Sequence, residues 1–221
     1  MSNISEKHLS VTRTARYYTS GELNKNINTI WFVIHGYRHN AHKFINLFSE
    51  LAEEGDYIIA PEGLSRLYVR GEAGDVGASW MTKEDRENEI KDYVNYLDKL
   101  FYEEVELKRN EFNFKVNALG FSQGAATLTR WLAYGKSKVD KIISWTGSIG
   151  HDVDYSASEN FKSTPIHLVF GNKDPYFPGD YYKSQVEILR KYGIEPQIHF
   201  FDGGHEVSAG LIKQLRMTSY E

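Results

Sequence analysis

Lys115-Val116-Asn117-Ala118-Leu119-Gly120-Phe121-Ser122-Gln123-Gly124-Ala125-Ala126-Thr127-Leu128 passes from an apolar run of strand length, through a glycine-serine-glycine turn, into a helical pattern that opens on small residues. Strand, G-x-S-x-G and helix in that order make a sharp, strained turn that lifts a serine hydroxyl clear of the backbone at the carboxyl end of a sheet. Side chains at positions 120 and 124 would collide with backbone in so tight a turn, hence the two glycines. The helix N-terminus beside Ser122 favours negative charge developing there. A glycine-rich turn with an idle serine is the plainer alternative, and the strand and helix patterns on either side weigh against it.

Outward from this stretch, further apolar runs of strand length occupy 29–34, 57–60, 141–145, 166–170 and 197–201. Helical spacing fills the intervals, with Phe44, Leu47, Phe48 and Leu51, then Ile90, Tyr93, Val94, Leu97, Leu100 and Phe101, then Leu128, Trp131 and Leu132, then Val186 and Leu189. Such alternation predicts an α/β fold with a mostly parallel central sheet and helices on both faces. The 221 residues fit one domain, 1–221, and sheet and helix consume so much of it that no large cap domain is expected. An alternating stretch at 9–17 reads as a leading antiparallel strand. Segments 62–83 and 148–163 lack periodicity and read as functional loops. In the first, Leu67 and Tyr68 offer apolar contact to a substrate, while Arg66 and Arg70 meet either an anionic group or solvent.

A serine hydroxyl is a poor nucleophile at neutral pH and needs a base, which in turn needs an acid to fix its tautomer. After a strand-to-helix nucleophile turn the partners follow in the order acid, histidine. His167 and His199 lie inside strand runs and read as structural, whereas His205 follows Phe201-Asp202-Gly203-Gly204 on the loop past the last strand. His205 is the expected base, with His151 in the second long loop a weaker alternative. The acid belongs past the preceding strand, where Gly171-Asn172-Lys173-Asp174-Pro175 places Asp174; Asp180 and Asp202 are the alternatives. Two backbone amides must face the oxyanion, and those of Gln123, after the nucleophile, and Tyr37, past the strand ending in Ile34, suit that role. His35, His39 and His42 raise a rival reading as zinc ligands, opposed by Gly36 and by the strand end at His35.

Composition narrows the function. A formal charge of −4, from 26 Lys and Arg against 30 Asp and Glu, gives no general attraction for nucleic acid or anionic membranes. No run reaches membrane-spanning length, residues 1–20 lack the apolar core of a signal peptide, and the cytoplasm is the default location. Cysteine is absent, which removes disulfides, thiolate metal sites and a thiol nucleophile. Neither metal nor organic cofactor is expected, and the expected partner is a small acyl ester. Thioester or amide cleavage, or a hydrolase-like binding module without turnover, are the other readings.

These residues resemble the phospholipase/carboxylesterase branch of the α/β-hydrolases, which includes acyl-protein thioesterase-like enzymes. The likeness rests on His35-Gly36 after a strand, Ala78-Ser79-Trp80, Gly120-Phe121-Ser122-Gln123-Gly124-Ala125, Gly171-Asn172-Lys173-Asp174-Pro175 and Gly204-His205-Glu206. It implies an α/β-hydrolase fold, a Ser122-Asp174-His205 triad, an oxyanion hole from the Tyr37 and Gln123 amides, and Trp80 near the acyl pocket. The chain departs from the branch at Tyr37-Arg38-His39, where members commonly carry Leu-Gly-Asp.

Overall fold

The computed structural model describes residues 4–218, so the first and last three residues of the expected domain lie outside the described ones. The elements in chain order are β1 (Tyr17–Ser20), β2 (Thr29–Ile34), α1 (Ala41–Ile45), α2 (Ser49–Glu53), β3 (Tyr57–Pro61), β4 (Ser65–Tyr68), β5 (Val76–Ser79), α3 (Arg86–Glu104), β6 (Lys115–Phe121), α4 (Gln123–Tyr134), β7 (Lys141–Trp145), α5 (Glu159–Ser163), β8 (Ile166–Gly171), α6 (Tyr181–Arg190), β9 (Gln197–Phe201) and α7 (Ala209–Met217). The central sheet runs β1-β3-β2-β6-β7-β8-β9, antiparallel at β1 against β3 and parallel elsewhere.

The two faces of the sheet follow from residue alternation. Ile30, Phe32 and Ile34 of β2 pack with α3, α4 and α6 through Leu97, Trp131 and Leu189. Trp31 and Val33 point the other way, into a cluster with Phe44 of α1, Leu51 of α2 and Leu215 of α7. Every residue of β2, β7 and β8 is buried, as strands covered on both faces must be. Two charged side chains are buried with them. Asp56 accepts from the Trp31 indole and from Arg216 at 2.8 and 3.0 Å, pinning α7 to the sheet. Lys141 Nζ donates to the Leu215 and Thr218 carbonyls at the end of α7, and burial lowers its pKa to about 8.

Several expectations need correction. The leading strand is at 17–20 rather than 9–17: Leu9 and Val11 are 87% and 79% exposed, so the alternation there has no sheet to face. The pattern from Phe44 to Leu51 is two short helices joined by a 3-10 turn at Asn46–Phe48. Segment 62–83 holds the antiparallel β4–β5 hairpin, whose four-residue strands are too short to show a period. Segment 148–163 is largely packed structure: Ile149, Val153 and Tyr155 are buried, and Arg130 grips Asp152 through Nε and a second guanidinium nitrogen at 3.0 and 2.8 Å. Among the described residues no helix is long and apolar enough to cross a membrane.

Candidate active site

Because β2, β6, β8 and β9 are parallel and in register, with Ile34 beside Gly120 and Gly171 beside Phe201, the segments after them emerge at one edge of the sheet. Ser122, between β6 and α4, has φ +55° and ψ −117°, the strained turn that the motif demands. A Cβ on Gly120 would lie 2.2 Å from the Gly124 carbonyl oxygen, a clash within the turn. The same atom on Gly124 would meet the Ile34 carbonyl at 2.2 Å, so the second glycine answers to the neighbouring strand instead.

The loops after β8 and β9 are laced by Asn172 N–H to Phe201 O at 3.0 Å and Lys173 N–H to Gly203 O at 2.9 Å. This lacing sets Asp174, 3% exposed, beside His205. Asp174 Oδ2 lies 2.8 Å from His205 Nδ1, and His205 Nε2 lies 2.9 Å from Ser122 Oγ. A carboxylate only accepts, so Nδ1 carries the proton and Nε2 is left to accept from the serine hydroxyl. The second carboxylate oxygen, Oδ1, accepts from Tyr176 N–H at 2.8 Å. Among the alternatives, His151 is exposed in a turn, Asp180 pairs with Lys183, and Asp202 pairs with Lys173.

On the other side of Ser122, a Cβ on Gly36 would come within 3.1 Å of the serine Cβ, so the segment carrying Tyr37 passes directly over the nucleophile. In that segment Arg38 N–H donates to Ala78 O and His39 N–H to Gly36 O, while the Tyr37 amide precedes both and the Gln123 amide opens α4. The Gln123 side chain braces the region, accepting from Trp80 N–H at 3.2 Å and donating to Met81 O at 2.9 Å.

The sequence profile of the phospholipase/carboxylesterase proteins matches residues 22–217. The chain belongs to the phospholipase/carboxylesterase family. Solved structures with the same fold include a phospholipase/carboxylesterase from Dyadobacter fermentans, 21% identical with TM-score 0.64 over 95% of this chain and 98% of that one. Acyl-protein thioesterase 2 from Zea mays is 15% identical, TM-score 0.63, over 91% and 96%. The Bacillus cereus carboxylesterase is 14% identical, TM-score 0.64, over 91% and 92%. Comparison with curated protein sequences finds no match.

Within this family member, Trp80, which the resemblance places near the acyl pocket, is a buried packing residue. It is 2% exposed, donates its indole N–H to His35 O at 2.8 Å and packs against His35 and Tyr93. It borders a cavity of about 560 Å³ between residues 11–17, β4 and α3, which no triad residue lines. Leu67 and Tyr68 stand on the hairpin, opposite Gly77 and Val76, and Tyr68 is half exposed. Ala78 of that hairpin bonds to Arg38 and His39, so both residues ride on the strand pair that steadies the Tyr37 segment. Arg66 reaches back to the buried Glu62, which also takes Arg16, while its side chain stays 40% exposed, so it is a solvated residue anchored by an ion pair.

His35 does not serve the zinc reading. Its Nε2 accepts from Gly63 N–H at 3.0 Å, so its proton sits on Nδ1 and goes to Gly36 O at 2.7 Å, and both nitrogens are committed. Burial lowers its pKa to about 4. His39 stacks on Phe121 with centroids 5.4 Å apart, and its pKa is lowered by burial and by the charge of His205. Phe121, Tyr176 and Phe177 ring His205 at 4.9, 4.8 and 5.8 Å. Sequence reasoning missed Tyr176 and Phe177; the signal was their position directly after Asp174-Pro175.

Proposed function

We propose that the protein is a serine hydrolase that cleaves carboxylic acyl esters through Ser122, His205 and Asp174. The observation that carries this reading is the unbroken line from Asp174 Oδ2 through His205 to Ser122 Oγ, ending on a serine held at positive φ. Ser122 Oγ bonds to the acyl carbon as its proton passes to His205 Nε2, and the oxyanion is received by the Tyr37 and Gln123 amides. The carbon–oxygen bond to the alcohol breaks, and the departing oxygen takes the proton from Nε2. Water then attacks the acyl-serine with His205 again as base, releasing the carboxylic acid and restoring Ser122. Asp174 stays ionised throughout and steadies the imidazolium. Membership of a phospholipase/carboxylesterase family supports ester cleavage, and the fold shared with an acyl-protein thioesterase makes the acyl thioester the variant to compare.

The test is steady-state hydrolysis of paired substrates that share one acyl group and differ only in an oxygen or sulfur leaving atom, repeated along an acyl-length series. Faster kcat/KM on the oxygen ester supports the proposal. Preference for the thioester, beyond its greater intrinsic reactivity, would move the assignment to a thioesterase, and tight binding without product release would make the chain a binding module.

A further inference from the structure

In this reaction the leaving oxygen must collect its proton from His205 Nε2, so the alcohol has to lie against the open side of the imidazole, away from the two oxyanion amides. Whatever flanks that side bounds the leaving group. Two consecutive aromatic residues lie against the imidazole. The Tyr176 ring stands edge-on to His205 with centroids 4.8 Å apart, and Phe177 follows at 5.8 Å. Neither is placed by chance of a loose loop. Tyr176 N–H is bonded to Asp174 Oδ1, the oxygen that His205 leaves free, and Phe177 packs 4.7 Å from Tyr181, whose hydroxyl meets Ser148 Oγ.

Burial separates these rings from the third aromatic neighbour. Phe121 is 2% exposed and supports His205 from the core, whereas Tyr176 is 72% exposed, with most of its surface uncovered beside the imidazole. Of the charges nearby in sequence, Lys173 and Asp202 pair with each other at 2.7 Å and Glu206 accepts from Gly204 N–H at 3.3 Å, while the rings against the imidazole are aromatic and uncharged. A flat apolar group gains contact area and ring–ring interaction there that a small alkyl alcohol does not.

We infer that Tyr176 and Phe177 form the leaving-group subsite and select esters of aryl or similarly broad apolar alcohols over esters of small alkyl alcohols. The inference rests on the reading of Ser122, His205 and Asp174 as a triad. It concerns the alcohol side alone and says nothing of acyl length.

The experiment uses the full chain and two esters with one short acyl group, one of an aryl alcohol and one of a fluoroalkyl alcohol of matched acidity. The ratio of their kcat/KM values reports acylation alone, the step in which the alcohol is still present. The wild type is expected to favour the aryl ester. Tyr176→Ala should lower that preference by roughly tenfold, Phe177→Ala should act in the same direction, and Tyr176→Phe should keep it. The exposure of Tyr176 makes its truncation safe for the fold. An unchanged ratio in Tyr176→Ala would overturn the subsite, and so would an equal fall on both esters, which is the mark of a ring that merely positions His205. Absence of hydrolysis of either ester by the wild type, with no labelling by a fluorophosphonate, would instead remove the triad reading and the subsite with it.

Discussion

His35 and His205 both follow strands at the same edge of the sheet, and both lie beside the nucleophile turn, yet their surroundings make them opposites. His35 is fully buried, accepts a hydrogen bond from the Gly63 amide on one nitrogen and donates one to the Gly36 carbonyl from the other. His205 is one-fifth exposed at its side chain and touches a carboxylate on one nitrogen and a hydroxyl on the other. Burial holds the first neutral, and neither of its backbone partners carries a charge to balance an imidazolium. The Asp174 carboxylate of the second stabilises an imidazolium, which is what a base needs. On the proposed reading an imidazole becomes a catalytic group through its partners, and proximity to Ser122 is insufficient.

Breaking each histidine separately should expose the contrast. His205→Ala and Ser122→Ala are expected to lower kcat by about a million-fold while thermal unfolding barely moves; circular dichroism melting beside ester assays checks both halves. Asp174→Asn leaves the shape intact but offers Nδ1 the wrong tautomeric partner, for an expected loss of about ten-thousand-fold in kcat.

For His35 the prediction is one of stability. Its folded pKa of about 4 lies below the ordinary 6.5, so the unfolded chain binds the extra proton between those values. Stability is therefore complete above about pH 6.5 and declines as pH falls towards about 4, by about 3 kcal/mol from this residue. His167, buried against His199 and lowered to about 3, acts in the same direction. Urea unfolding followed across that window should show the decline, and His35→Asn should have a shallower one; a wild-type curve flat across it would remove the argument. Smallest of all, Gln123→Ala keeps the oxyanion amide but loses the brace to Trp80 and Met81, and about a tenfold fall in kcat with little change in KM is expected. A KM effect without a kcat effect would place Gln123 in ground-state binding instead.

The same contrast explains what was legible in the sequence. The turn at Ser122 was readable because Gly120 and Gly124 mark it within five residues, and the six parallel strands because each is a mostly apolar run. Asp174 and His205 were readable as loop residues after successive strands, a rule of chain order. By comparison, nothing near Trp80 announces that its indole bonds to a carbonyl 45 residues earlier; its place near the acyl pocket came from the resemblance alone. The hairpin at 65–79 was missed because four-residue strands carry no period, and the ion pair from Arg66 to Glu62 is recognisable only once the fold buries Glu62. Leu9 and Val11 alternate like a strand without a neighbouring strand to pair with. The aromatic wall at Tyr176 and Phe177 acquires meaning only from its distance to His205.

The most direct test of the central claim, that Ser122 is a nucleophile activated by His205, is intact-mass analysis after exposure to a fluorophosphonate. The expected result is a single adduct on the wild type, absent from both Ser122→Ala and His205→Ala. A folded wild type that takes no adduct, or an adduct that survives in Ser122→Ala, would contradict it.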